Sequence, residues 1–556
     1  MQLYLNTLLA WAGVLGSTVP EDVVVETSNV KNVAIIGAGA AGSSAAYHLQ
    51  QYAEAQGIEL NITVFEKTDR VGGRTLTVNA FDDPALPVEL GASIFVSVNH
   101  IMVNATKTFD LPVSDKDGPG DITAIWDGER FVYESSRGTS WWWDAGKLWW
   151  RYGTSPYTAQ KLVGSVVGKF LQLYEAPYFP FRSLTQRAFE LGLERIAALT
   201  GEQYLLENKI NVNFSSDIIQ AATRVNYASN LANIHALEAM VSMATDGAVA
   251  VTGGNWQIFD KMMRASGAVL HRNTSVTDIS FEQTKNLEAG SKYILSTKEE
   301  GSDSKAFPSA FDNVIIATPW QFSNMTAGEG VIKHNIDRIP YMKLHVTLFT
   351  SPFKLRPGYF GLDPGSKSPS NVYTTLGPHD EARAGPDGVG STGFYSISTL
   401  DAVVNPATGK TEFLYKIFSA QAVTAEFLSD ILGAKVPSSF TGAITTEGEK
   451  EEGDDASADT VGAITWYYPH WFYAYPIELP RVTFQDPIVG SGLYYTSGME
   501  SFISTMETNA LMGKNVARLI ADDFAASLPK NTTEVVVEVV EEVMVEEVKV
   551  PEPGEL

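Results

Sequence analysis

The sequence predicts an α/β fold in two interleaved parts, a parallel-sheet domain of Rossmann type and an α+β domain. Three observations carry the prediction. Val33–Ile36 is an apolar run suited to a buried strand. It opens through Gly37-Ala-Gly39-Ala-Ala-Gly42 into helix-forming Ser43–Gln50 and a second strand, Ile62–Phe65. Late in the chain, Gly492–Gly498 reads as a strand reaching a glycine turn, with a long helix over Met499–Ile520. Between them, helical periodicity through Leu184–Leu199 and Ile218–Met243 gives way over residues 340–480 to alternating strands and turns.

The first unit states its ligand class. Gly37 makes the tight turn, Gly39 lets backbone approach a pyrophosphate, and Gly42 allows close helix–strand packing. The helix that follows presents unpaired N–H groups to the phosphates. Glu66 stands 24 residues beyond Gly42, at the end of the second strand, where a carboxylate accepts hydrogen bonds from a ribose diol. Strand, helix, second strand and acid together point to a dinucleotide rather than a chance glycine turn.

The next segment selects the dinucleotide. Asp69-Arg70-Val71-Gly72-Gly73-Arg74 resembles the Arg-x-Gly-Gly-Arg signature of flavin oxidases of the amine-oxidase and phytoene-desaturase type. The glycines permit close backbone approach, and Arg74 is expected to neutralise phosphate bidentately. Glu89-Leu90-Gly91-Ala92-Ser93 then offers small residues where the flavin passes. FAD is therefore expected over NAD. Further along, Gly253-Gly254-Asn255 opens a helix through Ala265, and Val269–Ile279 alternates as a strand. In flavoproteins of this type such a strand lays backbone on the adenine, here at Val276. Tyr293–Lys298 and Asp312–Pro319 are expected to complete a small sheet. Gly498 and Met506 are placed at the flavin by the late strand and helix. That helix start also stabilises negative charge on reduced flavin.

The predicted division is a signal peptide over 1–18, FAD-binding parts over 32–110, 246–330 and 488–527, and a substrate domain. The substrate domain is mostly helical over 111–245 and sheet over 331–487. An acidic Val/Glu-rich tail fills 528–556, and Glu447–Asp459 reads as a solvated acidic loop. Tryptophans at 141–143, 149 and 150 are read as packing or lid residues. The apolar Met1–Ser17 stretch is too short to span a membrane and fits a secretory leader, although no Lys or Arg stands near Met1. Asn61, Asn104, Asn213, Asn273, Asn324 and Asn531 begin Asn-x-Ser/Thr sequons. No later segment is long and apolar enough to cross a membrane.

Composition narrows the chemistry. The net charge of −25 disfavours nucleic acid and anionic membranes as partners. With no cysteine, disulfides, thiolate metal sites, a cysteine nucleophile and a cysteinyl-flavin link are excluded. No histidine pair has metal-ligand spacing with matching carboxylates, so no metal is expected.

Several separated runs together resemble the prenylcysteine oxidase (prenylcysteine lyase) family. They are Val33–Arg74 with Glu89–Ser93 and Asn99-His100, Arg224-Val-Asn226-Tyr227, Gly253-Gly254-Asn255, Tyr468-Pro469-His470, and Leu493–Glu500 with Thr505-Met506-Glu507 and Asn515–Ala517. The resemblance implies an FAD-dependent thioether oxidase that turns farnesyl- or geranylgeranyl-cysteine into cysteine, a prenyl aldehyde and hydrogen peroxide, with O2 as acceptor. The prenyl C1 is allylic and bears sulfur, so hydride loss leaves a stabilised cation that water attacks. Burial of a farnesyl chain contributes on the order of 10 kcal/mol at about 0.8 kcal/mol per CH2, so an apolar tunnel is expected more than a cluster of charged catalysts. His100 and His470 lie inside matching runs; they either position water and aid collapse of the hemithioacetal or are hydrogen-bonded structural histidines. Glu500 and Glu507 either line the flavin side, cap the following helix or face solvent. The alternatives are an FAD oxidase or desaturase acting on another prenylated or lipophilic metabolite, and a lipid-binding protein without turnover. The implied compartment is lysosome-like, vacuolar or extracellular.

Overall fold

The computed structural model describes residues 30–115, 122–135, 145–282, 292–438 and 462–527. The predicted signal peptide, the acidic loop, Trp141–Trp143, Asn531 and the tail lie outside these residues.

Lys31–Ile36 forms the centre of a six-stranded sheet. It pairs in parallel with Leu60–Phe65 on one side and Asn313–Ile316 on the other. Leu493–Tyr495 and Val269–His271 extend the sheet in parallel, and Ile488–Gly490 closes one edge antiparallel. A strand buried on both faces needs apolar residues on both. Val33 and Ile35 accordingly meet the helices, and Ala34 and Ile36 meet a second, four-stranded sheet. Helix Ala40–Gln56 packs against the C-terminal helix Met506–Ser527. They approach so closely that a Cβ on Gly513 would stand 2.1 Å from the Ala41 carbonyl oxygen.

The second domain is built on a seven-stranded sheet. Its order is Trp466–Pro476, Tyr341–Ser351, Thr411–Ser419, Phe394–Val404, Asn371–Thr374, Thr123–Trp126 and Phe131–Glu134. Neighbours run antiparallel except Asn371–Thr374 beside Thr123–Trp126. Helices between residues 145 and 241 pack beside it.

Six expectations change. The alternation over Val269–Ile279 is two strands in two sheets, because Asn273 takes φ +53° and breaks the run. Asn313–Ile316 belongs to the central parallel sheet rather than a small one. The late helix starts at Met506, not Met499. Residues 497–501 form a 3-10 turn, and the Thr505 hydroxyl accepts the Thr508 N–H at the helix start. The helical run to Met243 breaks after Tyr227, where Ala228 adopts φ +47°. The part over 111–245 is less purely helical than expected, since residues 123–134 supply two strands to the large sheet. Trp149 and Trp150 do not pack inside; they are 63% and 92% exposed.

Candidate active site

The two domains enclose one cavity of about 2530 Å³. At one end its wall is backbone. Gly37, Gly39 and the first turn of Ala40–Gln56 border it, and no side chain caps that helix N-terminus. Gly39 faces Gly73 across a narrow gap: a Cβ on Gly39 would lie 3.7 Å from the Gly73 Cα. Gly42 sits behind this surface, where a Cβ would fall 1.9 Å from the Gly37 oxygen. The turn that presents Gly72 and Gly73 holds both at positive φ, +118° and +58°. Glu66 is 7% exposed and borders the cavity. Its Oε2 accepts the Ala38 N–H at 2.8 Å, and its Oε1 accepts Thr68 N–H and Oγ1–H at 2.9 and 2.8 Å. Carboxylate lone pairs remain for ribose hydroxyls. Val276 is buried and lines the same end.

Farther in, Ala92 and Ser93 line the wall, with Ala92 at φ +54°. Lys416 donates from Nζ to the Glu89 carbonyl at 2.8 Å and to Ser93 Oγ at 2.9 Å. The first turn of the C-terminal helix, including Met506, closes this end. Glu507 binds the N–H groups of Ile101 and Met102 and receives the Tyr174 hydroxyl, so it caps the helix His100–Thr108. A backbone cradle, a ribose acid and a second helix start farther along one cavity fit FAD, which is the cofactor; Gly37, Gly39, Gly73, Glu66, Val276, Ala92, Ser93 and Met506, all on the cavity wall, are the residues that would hold it.

Beyond Ser93 the wall becomes side chain. Val167, Phe170 and Leu171 line it from the helical side, and Leu344, Leu414 and Phe418 from the large sheet. The edge strand Trp466–Pro476 runs across this region, and a Cβ on Gly91 would meet Phe472 Cζ at 2.9 Å. Tyr227 and Asn226 enter from the helix ending at Tyr227. Arg224 of the same run does not reach the cavity. Fully buried, it bonds Thr374, Asn230, Thr392 and the carbonyls of Gly388 and Val389, tying helix to sheet. Burial pushes its pKa down to about 10.

Three predicted site residues are corrected. Arg74 borders the cavity, but its guanidinium fork is committed to Glu500, with both nitrogens 2.7 Å from the two carboxylate oxygens. Glu500 is nearly fully buried, and the Tyr341 hydroxyl also donates to it. The two carboxylate oxygens thus occupy both arms of the fork expected for a phosphate. His100 is exposed, its ring 5.1 Å from Tyr174, and is not on the cavity wall. Gly498 is buried against Gln485 rather than facing the cavity; a Cβ there would lie 2.5 Å from the Gln485 oxygen. His470 does line the cavity, on the edge strand opposite Val346 and flanked by Tyr468 and Phe472. Burial, then the nearby Arg70 charge, pushes its pKa below the ordinary histidine value, so it is neutral at pH 7. Lys416 was missed by the sequence reading. Leu414-x-Lys416-x-Phe418 alternates with period two, the signal that places all three on one sheet face.

Among the described residues no group of three or more His, Cys, Asp or Glu could hold a metal, and no helix is long and apolar enough to cross a membrane.

Comparison with known proteins agrees with this geometry. Residues 35–106 match an NAD(P)-binding Rossmann-like domain. The chain is 27% identical over 522 residues to a farnesylcysteine lyase of Arabidopsis thaliana, covering 90% of each chain. It is 28% identical over 511 residues to prenylcysteine oxidase 1 of Bos taurus, covering 88% of each. Among solved structures, the fold is similar to cyclohexylamine oxidase from Brevibacterium oxydans IH-35A, with TM-score 0.52 and 14% identity over 89% of this chain and 99% of that one. Residues 136–532 match the prenylcysteine lyase model, so the chain belongs to the prenylcysteine lyase family.

Proposed function

We propose that this protein is an FAD-dependent thioether oxidase that cleaves farnesyl- or geranylgeranyl-cysteine to cysteine, a prenyl aldehyde and hydrogen peroxide. The observation that carries the reading is the continuity of one cavity. Its glycine-walled end fits the dinucleotide, and its other end is walled by Val167, Phe170, Leu171, Leu344, Leu414 and Phe418. When bound, FAD supplies the two-electron acceptor for the C1 hydride and passes the electrons to O2. The chain's own task is placement. The apolar wall holds the hydrocarbon and excludes bulk water, which sets C1 in one position. Lys416, held by Glu89 and Ser93, supplies positive charge at the junction of the two ends. His470, neutral at pH 7, is able to accept a proton at the wall.

The test is peroxide release against a panel of prenylcysteines and primary amines. Release with prenylcysteines alone supports the reading, and release with amines alone overturns it.

The reading extends to location in the secretory pathway, ending in a lysosome-like or vacuolar compartment or outside the cell. Asn61, Asn104, Asn213, Asn273 and Asn324 are all exposed, as glycan attachment requires. A mature N-terminus near Ser17–Glu21 and a mass shift on glycosidase treatment are the expected results.

A further inference from the structure

Behind the cavity wall lies a cluster of ionisable groups that the placement chemistry leaves unused. Glu238 and His235 are fully buried, and Glu478 nearly so. His235 Nε2 lies 3.3 Å from Glu478 Oε2. The Glu238 N–H donates to His235 Nδ1 at 3.0 Å, so the neutral ring carries its proton on Nε2, toward Glu478. Glu238 Oε1 accepts the Ser504 N–H, and the Tyr227 hydroxyl interacts with the Glu238 carboxyl group. Two atoms of the cluster have no hydrogen-bond partner: Glu238 Oε2 and Glu478 Oε1. Unpaired buried oxygens on two neighbouring carboxyl groups are costly in a purely structural arrangement. The cluster reaches the cavity through Tyr227 and Ser504, both on its wall, and Tyr475, also on the wall, packs edge-on against Tyr227 at 5.4 Å.

We infer that Glu238, Glu478 and His235 form a buried proton store that exchanges with the cavity through the Tyr227 hydroxyl. The inference rests on the thioether-oxidase reading. In that reaction the C1–H leaves as hydride, water forms the C1–O bond, and one water proton must go elsewhere. The hydroxyl proton then passes to sulfur as the C–S bond breaks. Peroxide formation from O2 takes up the hydride and one proton. One proton is thus released early and needed late, and the store holds it between the two.

The charges around the cluster fit this role. Burial, then the neighbouring Glu478 charge, raises the Glu238 pKa to about 8, against smaller opposing effects of His235, Tyr227 and Ser504. Burial also raises Glu478, with Arg481 opposing and Glu500 reinforcing. Burial lowers His235 to about 4, with Glu238 opposing and Arg481 reinforcing. Both acids therefore hold a proton more readily than exposed carboxyl groups do.

Two measurements test the store. Infrared spectra of flavin-free protein at neutral pH should show a protonated carboxylic acid band that Glu238→Gln removes while circular dichroism stays unchanged. If no band is lost, the store is overturned, whatever the substrate proves to be. On anaerobic reduction by farnesylcysteine with an indicator dye, wild type should release little proton to solvent. Glu238→Gln and Tyr227→Phe should release about one proton per flavin. Equal release from wild type and both variants overturns the exchange route. Should farnesylcysteine fail to reduce the flavin, the substrate reading falls, and the infrared result still decides the proton on Glu238.

Discussion

At the dinucleotide end of the cavity, the ligand surface is peptide backbone: Gly37, Gly39, Gly72, Gly73 and two helix starts. At the other end it is side chain, drawn from two strands and a helix that lie about 250 residues apart, from Val167 to Leu344, Leu414 and Phe418. The first kind of surface tolerates no added atoms, and the second tolerates many. A backbone surface specifies one cofactor, whereas a side-chain surface sets the length and shape of a substrate and changes by graded steps.

The sharpest contrast lies within one turn. Gly42→Val places a side chain where the Gly37 oxygen already sits at 1.9 Å from an added Cβ. The protein should fail to fold, seen as loss of the thermal transition. Gly39→Val meets protein no closer than 3.7 Å at its Cβ. It should fold normally and purify colourless. A folded Gly42→Val or a yellow Gly39→Val would break the comparison.

Next in size is Arg74→Ala. It leaves Glu500 buried with only the Tyr341 hydroxyl for company. Loss of one partner of a buried pair costs about 3–5 kcal/mol, and the tyrosine should hold the effect near about 3 kcal/mol in denaturant unfolding. If Arg74 instead served phosphate, flavin affinity would fall while apoprotein stability stayed level.

The buried acids give a pH signature. Glu238 has its pKa raised from 4.5 to about 8 in the folded state. The native state then binds the extra proton between these values, so stability falls as pH rises from about 4.5 through about 8 and levels off above. Glu238→Gln should flatten that slope relative to wild type. An unchanged slope would contradict the assigned protonation.

Smaller effects are expected on the side-chain wall. Phe170→Ala removes part of an apolar pocket, a change worth about 1–3 kcal/mol in discrimination. It should raise KM for the longer prenyl chain and leave flavin absorbance alone. Smallest of all, His100→Ala should not change turnover, because His100 is exposed and off the cavity wall. His470→Ala should change it.

The two ends also differ in how far the sequence reveals them. Glycine spacing, the acid at Glu66 and the small run at Gly91–Ser93 are local signals, and local signals survive without coordinates. Lys416, Phe170 and the pairing of Arg74 with Glu500 depend on strand neighbours hundreds of residues apart, which periodicity alone does not join. The expectation for Arg74 failed because a buried acid 426 residues away competes for the guanidinium. His100 failed because a matching run fixes a segment, not the direction of each side chain in it. Asn273 and Ala228 broke predicted elements through positive φ at residues that carry no glycine signal.

The central claim is that C1 of a prenyl thioether loses hydride in this cavity. The most direct measurement is anaerobic stopped-flow reduction of the flavin by farnesylcysteine, unlabelled and deuterated at C1. Bleaching that is slowed by the label, followed by peroxide on admission of air, is the result expected. Flavin that stays oxidised with prenylcysteines but is bleached by primary amines would contradict the claim, while leaving the FAD-binding fold in place.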